Sequence, residues 1–234
     1  MKNYKNGLES KNSLYYNAKK VFYNKGYDKT TIQEIVTAAK TKLGMLNYYF
    51  ISKENLAMEI FRDFANDVVL CIENQKENIP EYPEKNPLLV DMIGYRGYIE
   101  ALRCNEHLTR FYVEITKLPL FSETLVNTRE YFFDDILSKE PHSSQNPKLR
   151  NSAYYTYLKS ATAGMECYLL KTIFEGKNSL LLEDAVDFYF EDYYNSLFKD
   201  AENIKKQYSS HGRLFSISIS LCLMIFQLSW RSSE

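Results

Sequence analysis

Residues 30–56 read TTIQEIVTAAKTKLGMLNYYFISKENL, and this stretch decides the fold. Apolar residues recur in it three or four positions apart, first at Ile32, Ile35, Val36 and Ala39 and then at Leu43, Leu46 and Phe50. This spacing indicates two short amphipathic helices separated by a tight break. Such a pair is typical of a helix-turn-helix, whose second helix can enter the major groove of DNA.

Polar residues indicate where these helices begin. Thr30 with Gln33, or Thr31 with Glu34, has the spacing of a capping box, so either threonine can cap the first of the two. Ser52 is placed to cap the helix that follows the pair.

Another amphipathic helix is predicted upstream. Its apolar positions are Leu14, Ala18, Val21 and Phe22, and the pattern covers Ser13 to Lys25. Gly26 follows directly and can adopt the left-handed conformation that ends many helices.

Charge is divided unevenly along the chain. Residues 1–53 contain ten lysines, no arginine and three acidic residues, a net charge of +7. Residues 54–234 contain 19 basic and 27 acidic residues, a net charge of −8. A basic head on an acidic body is typical of a phosphate-binding module joined to a part with another task. A solvated lysine face is the alternative that charge alone leaves open.

The remaining sequence also has helical periodicity. Segments with one apolar side cover residues 88–105, 106–117, 121–138, 151–174 and 180–206, and prolines or polar stretches separate several of them. With the head this makes about nine helices, so the predicted fold class is all-α. The four cysteines lack metal or disulfide spacing, and the N-terminus lacks an apolar signal segment. We therefore expect a cytoplasmic protein with no metal site and no cofactor.

The C-terminal residues 207–234 do not fit the helical body. Residues 214–230 are uncharged over 17 positions but include four serines and a glutamine. A bilayer span takes about 20 apolar residues, so a membrane anchor is the less favoured interpretation. A packed or disordered extension is the favoured one.

The head resembles the TetR (tetracycline repressor) family of bacterial one-component regulators. The matching residues are Ala18, Phe22, Gly26-Tyr27, Thr30-Thr31-Ile32, Ile35-Val36, Ala38-Ala39, Gly44, Leu46, Tyr49-Phe50 and Ser52-Lys53-Glu54-Asn55-Leu56. The resemblance covers about the first quarter of the chain. It implies a DNA-binding domain over residues 11–71 with the helix-turn-helix at 31–50, and a helical effector-binding and dimerisation domain over residues 72–206.

DNA contacts are expected from three places. The recognition helix should run from about Lys42 to Tyr49; its groove-facing or phosphate-contacting residues are expected to be Lys42, Leu43, Gly44, Met45, Asn47, Tyr48 and Tyr49. Thr30 and Thr31 lie at a helix N-terminus, where a phosphate oxygen can bind, although both can act simply as caps. Lys53 lies in the first turn of a helix, where a cation is locally unfavourable, and by resemblance it contacts the DNA backbone.

Three residues depart from the family pattern. Lys40 stands where glycine is usual, so a lysine has to adopt a left-handed conformation. Lys42 replaces a serine or threonine, which moves the expected cap to Thr41. Asn47 replaces a common tyrosine, so a usual phosphate contact is absent.

The body is expected to sense a ligand and to dimerise. By resemblance, the helices around 151–174 and 180–206 pair with their copies in a second subunit; an internal core stripe is the alternative. Candidate pocket residues for an unknown small-molecule effector are Tyr98, Phe111, Glu114, Tyr131, Tyr155 and Glu166. Plain core packing for the aromatic residues, and a solvated helix face for the two glutamates, are the other interpretations.

Together these features predict a DNA-binding transcriptional regulator, a homodimer that binds double-stranded DNA at a palindromic operator and releases it when a small molecule binds. No nucleophile–base set, glycine-rich loop or carboxylate pair points to an enzyme. A regulator tied to the membrane by residues 214–230 is the second hypothesis.

Overall fold

The computed structural model describes residues 2–74, 87–127 and 152–197. Across these residues every regular element is a helix and no strand occurs. The predicted all-α class is confirmed.

Three helices form the N-terminal head: α1 (Lys2–Lys25), α2 (Ile32–Ala38) and α3 (Leu43–Phe50). Gly26 follows α1 with a φ of +89° and so ends it as predicted. The start of α1 was wrongly placed at Ser13, because the residues before it lack the apolar period that marks a helix.

The turn between α2 and α3 is a Schellman motif. The N–H of Lys40 donates to the carbonyl of Thr37, and the N–H of Thr41 donates to that of Val36. Lys40 has a φ of +52°, as expected from the family position at which glycine is usual. The predicted cap at Thr41 is wrong: Thr41 belongs to this motif, and the residue preceding α3 is Lys42, which makes no side-chain cap.

The long helix α4 (Lys53–Asn74) begins as the sequence predicts. The hydroxyl oxygen of Ser52 accepts the backbone N–H of Asn55 at 3.0 Å. Ile51, directly before this cap, has a φ of +67° and is 77 % exposed.

The described part of the body consists of α5 (Pro87–Arg103), α6 (Glu106–Ile115), α7 (residues 119–127), α8 (Ser152–Gly164), α9 (Lys171–Phe174) and α10 (Leu182–Leu197). Asn105 caps α6 by accepting the N–H groups of His107 and Leu108. A π-helical segment, Met165–Leu170, joins α8 to α9. The sequence pattern had indicated one uniform helix there.

One connected cluster of buried apolar side chains runs through head and body. Leu46 and Phe50 belong to it, as predicted, and are 0 and 3 % exposed. Phe22 of α1 stacks on Phe111 of α6 with ring centroids 5.6 Å apart. The head therefore rests directly on α6.

Several predictions lie outside the described residues. These include Tyr131 and the extension at 207–234 with its apolar segment. Where the structure does describe the chain, it contains no helix long and apolar enough to cross a membrane.

Candidate functional site

The exposed face of α3 contains most of the predicted groove-facing residues. Leu43 and Tyr48 are 55 and 76 % exposed although both are largely apolar. Lys42, Gly44 and Asn47 are exposed as well. Two further predicted residues differ, because Met45 and Tyr49 are partly buried against the core of the head.

Gly44 leaves a flat spot on this face. A Cβ atom built there would meet no described atom of the chain within 4 Å. Packing within the protomer thus does not require a glycine at position 44. Close approach of another molecule to this face is a physical reason for having one there.

The two threonines before α2 have different environments. Thr31 closes the capping box: its hydroxyl oxygen accepts the N–H of Glu34, and the Glu34 carboxylate accepts the N–H of Thr31 at 2.8 Å. Thr30 is 2 % exposed, and its hydroxyl donates to the carbonyl of Gly26 at 2.5 Å. Of the two hydroxyls, the structure leaves only that of Thr31 on the surface.

Lys53 is partly enclosed by the turn between α1 and α2. Its ammonium group donates to the carbonyls of Tyr27 and Thr30 at 3.0 and 2.8 Å and lies 3.9 Å from the centroid of the Tyr27 ring. Burial lowers the pKa of this ammonium below its ordinary value. Lys53 therefore joins the start of α4 to this turn.

A helix-turn-helix with its second helix exposed, on a basic head, is the geometry of a major-groove reader. The family model described as bacterial regulatory proteins of the tetR family matches residues 12–60, which span α1 to α3 and the first part of α4. The head belongs to the TetR family. The chain is accordingly a DNA-binding transcriptional regulator.

The TetR-type head is bonded to α6 of the body. The carboxylate of Glu114 accepts the N–H of Asp28 at 3.0 Å, and the guanidinium of Arg110 donates to the carbonyl of Tyr23 at 2.7 Å. Lys117 lies 3.5 Å from the Asp28 carboxylate. A Cβ on Gly26 would come within 2.7 Å of both Glu114 oxygens, so the turn needs glycine for this contact as well as for its φ.

A buried carboxylate lies on another side of α6. Glu166, in the π-helical segment, is 1 % exposed and accepts the hydroxyls of Tyr98 and Tyr112, each at 3.1 Å. The Tyr112 hydroxyl is also 3.0 Å from the Glu166 carbonyl oxygen. Burial, with the nearby Glu166 charge, raises the pKa of Tyr112 well above its usual range. The Tyr112 hydroxyl is therefore a donor at any physiological pH.

Aromatic rings surround this group, which we call the Glu166 cluster: Glu166 with Tyr98, Tyr112, Phe61, Phe64, Phe121 and Phe174. Phe64 is centred 5.7 Å from Tyr98, and Phe121 and Phe174 are centred 5.9 and 5.8 Å from Tyr112. Phe61 contacts both tyrosines. The four phenylalanines and Tyr112 were not among the predicted pocket residues, because core and pocket aromatics have the same helical spacing.

The predicted pocket residues are only partly brought together. Tyr98 and Glu166 share the Glu166 cluster, whereas Phe111 packs on Phe22 and Glu114 bonds to the head. Tyr131 and the side chain of Tyr155 lie outside the described part of the chain. The solvated-face alternative is wrong for both glutamates, since Glu114 is only 9 % exposed and Glu166 only 1 %.

A separate surface depression of about 730 Å³ lies along α6, between Arg103 and Phe174. Of the predicted pocket residues whose side chains the structure describes, Tyr98, Phe111, Glu114 and Glu166, none lines it.

Proposed function

We propose that this protein is a ligand-responsive repressor: a cytoplasmic homodimer that binds a palindromic operator through α3 and releases it when a small molecule binds the Glu166 cluster. One observation carries the proposal. The helix α6 bonds to Glu166 through Tyr112 and to the head through Arg110 and Glu114, within five residues.

This arrangement supports coupling between the two ends. A ligand that displaces the Tyr112 hydroxyl from Glu166 removes a bond that holds α6 in place, so a different position of α6 becomes the most stable one. Because Glu114 and Arg110 bond to backbone groups of the α1–α2 corner, a shift of α6 is passed to the head rather than absorbed by loose side chains. The ligand acts as an effector only if it binds the two positions with different affinity.

The proposed DNA contacts follow from exposure. Lys42, Leu43, Asn47 and Tyr48 are presented to the groove, and Gly44 permits close approach. Asn47 suits an adenine edge and Leu43 a thymine methyl group. Met45 and Tyr49 contribute at the margin, and the exposed Thr31 hydroxyl can bind a phosphate by exchanging its bond to the Glu34 carboxylate. Two bonds of the Lys53 ammonium are made to carbonyls, and an ammonium has three donors, so one remains for a phosphate.

Dimerisation is supported by an apolar face on α8. Tyr157, Ala161 and Gly164 are all exposed and lie four and three positions apart, hence along one side of α8. Tyr168, in the π-helical segment that follows, is exposed as well. Leu181, directly before α10, is 64 % exposed, and Phe188, within α10, is 55 % exposed. On the other side of α10, Ala185, Val186 and Phe190 are buried within the protomer, so part of the apolar stripe of α10 belongs to the internal core. A homodimer would cover the exposed set.

The DNA part is tested by selecting duplexes from a randomised pool with the purified full chain. We expect a palindromic consensus, and affinity for it should fall steeply as salt rises, because phosphate contacts release counterions. Asn47→Ala should relax selection at one or two positions per half-site, whereas Gln33→Ala, an exposed change on α2, should leave the consensus unchanged. Failure to enrich any sequence, or an affinity independent of salt, would contradict the proposal.

The coupling part is tested without an effector by Glu114→Gln. This change weakens the bond to Asp28 and should alter affinity for the selected operator at least threefold while leaving the consensus unchanged. The matched change Glu123→Gln, at an exposed position of α7, should alter neither. Equal affinities for Glu114→Gln and the parent chain would contradict the role of α6.

A further inference from the structure

We infer that the effector is an organic cation, a protonated or quaternary amine attached to an apolar group, and that the Glu166 carboxylate with its aromatic surroundings recognises it. The inference rests on the proposed ligand response and adds the chemical class of the ligand. It is carried by three observations of the Glu166 cluster: a carboxylate removed from water, hydroxyls that can be displaced from it, and aromatic rings on several sides.

The burial of the carboxylate favours a positive ligand. A carboxylate taken out of water requires compensating hydrogen bonds or charge, and Tyr98 and Tyr112 supply hydrogen bonds from uncharged groups. An ammonium N–H donated to the same oxygen adds charge to the bond, and such charge-assisted bonds are roughly twice as strong as neutral ones. An anionic ligand would be repelled by the carboxylate, and a neutral ligand that displaced Tyr98 or Tyr112 would only exchange one uncharged donor for another.

The rings favour the same class. A cation within about 6 Å of an aromatic centroid is attracted by the negative face of the ring. The ring centroids of Phe61, Tyr98 and Tyr112 lie 6.2 to 6.5 Å from one another, close enough for one small cation to contact more than one face. The apolar part of the ligand would take the place of ring contacts with Phe121 or Phe174.

The backbone around Glu166 suits an exchange of partners. Met165–Leu170 is π-helical, a local widening of a helix that occurs often at functional sites. Tyr112 bonds to both the carbonyl and the carboxylate of Glu166. It can therefore give up the carboxylate to a ligand and keep the carbonyl. Loss of this one bond when the cation binds would change the position of α6.

The experiment uses three probes that share one ring and differ in charge: 2-phenylethylammonium, 2-phenylethanol and phenylacetate, with benzyltrimethylammonium and tetraphenylphosphonium as larger cations. Thermal unfolding of the full chain measures binding, and fluorescence anisotropy of the selected operator measures release. We expect at least one cation to raise the unfolding midpoint and release operator. 2-Phenylethanol and phenylacetate should do neither at the same concentration.

Two variants locate the effect. Glu166→Gln should weaken cation binding about 10-fold or more, the worth of a hydrogen bond to a charged group. Tyr98→Phe removes a competing donor but keeps the ring, so cation affinity should stay equal or rise by up to about 10-fold. The exposed change Glu106→Gln should have no effect.

The outcomes of these experiments separate the inferred ligand class from the proposed repressor mechanism. A neutral or anionic probe that binds as well as the cations, equal cation affinity in Glu166→Gln and the parent chain, or no midpoint shift with any cation would overturn the inference. Because midpoint shifts do not depend on DNA, cation binding without operator release would leave the inferred ligand class standing and contradict the proposed repressor mechanism instead.

Discussion

At the scale of single residues, Ile51 stands out because its backbone conformation is one that β-branched residues rarely adopt. With φ of 67° and ψ of −50°, and with the N–H of Ser52 donating to the carbonyl of Phe50 at 2.7 Å, it forms the centre of a γ-turn of the strained hand. Its side chain is largely exposed, so little packing compensates for this strain. The turn reverses the chain between the recognition helix and α4.

Ile51→Gly should therefore stabilise the protein. Relief of left-handed strain is worth about 1–2 kcal/mol, and the extra freedom of glycine in the unfolded chain offsets part of it, so we expect a gain of about 1 kcal/mol. Ile51→Ala keeps a Cβ atom and should gain little. Urea unfolding of the three chains measures the difference. A glycine variant less stable than the alanine variant would show that the turn is not strained.

Lys53 illustrates a residue whose structural role can be separated from a role in DNA binding. Lys53→Met removes two hydrogen bonds from a charged donor to the carbonyls of Tyr27 and Thr30, so it should lower the free energy of unfolding by about 1–3 kcal/mol. Lys42→Met, at an exposed position, should change that free energy by less than about 0.5 kcal/mol.

Both substitutions should weaken operator binding if each lysine also contacts a phosphate. Chemical unfolding and the salt dependence of binding measure the two properties separately. Equal stability of Lys53→Met and the parent chain would mean that the ammonium is not needed to hold the α1–α2 turn.

At the scale of elements, the start of α2 depends on the ionisation of Glu34. The hydrogen bond from Lys25, followed by those from Thr31, lowers the pKa of this carboxyl from 4.5 to about 2. A carboxyl whose pKa is lower in the folded state stabilises that state above its unfolded pKa. This contribution is then lost as the pH falls towards the folded pKa.

Glu34→Gln should accordingly be less stable than the parent chain above about pH 4.5. Its deficit should shrink as the pH falls from 4.5 to about 2. Glu123→Gln, an exposed change on α7, should show no such convergence. Thermal midpoints recorded across this pH interval provide the measurement, and parallel curves for Glu34→Gln and the parent chain would refute the assignment.

Local signals made much of the helical framework predictable. The caps formed by Thr31 and Ser52 depend on partners three residues away, and the sequence contains those partners. The positive φ of Lys40 was expected from the family position at which glycine is usual. The environment of Glu114 could not be predicted in this way, because its partner Asp28 is 86 positions away. The π-helical segment was also missed, since an apolar stripe indicates a helix but does not show where its period widens.

In the candidate site, too, the features set by local sequence were predictable and those set by tertiary packing were not. Exposure of Leu43, Asn47 and Tyr48 follows from the helical period once Leu46 and Phe50 are assigned to the core. Thr30 is a threonine next to Thr31, yet its hydroxyl is buried and donates to the carbonyl of Gly26. The association of Tyr98, Tyr112 and Glu166 joins three separate elements, so only tertiary packing defines it.

At the scale of the whole molecule, two glycines allow the proposed interfaces to be tested in parallel. A Cβ at Gly44 or at Gly164 meets no described atom of the chain within 4 Å, and both positions are exposed, so we expect the folded protomer to tolerate a tryptophan at either one. Gly164→Trp should block the α8 face and shift the protein from dimer to monomer. Gly44→Trp should leave a dimer that no longer binds the operator.

Sedimentation gives the oligomeric state and anisotropy gives operator affinity for both variants. Gly164→Trp should also lose affinity, because one recognition helix alone contacts only a half-site. A dimeric Gly164→Trp protein would exclude the α8 face as the subunit interface, and unimpaired operator binding by Gly44→Trp would exclude the exposed face of α3.

The continuous hydrophobic core has a consequence for how such a regulator can evolve. Among the described residues, one buried cluster extends from Leu14 in α1 to Phe190 in α10, and Phe22 packs against Phe111 across the head–body boundary. A head cut out after Cys71 would leave this apolar surface uncovered, so it is not a self-sufficient cassette. Recombination of this head with a foreign body would therefore carry a packing penalty, because the new body would have to fit the apolar surface around Phe22.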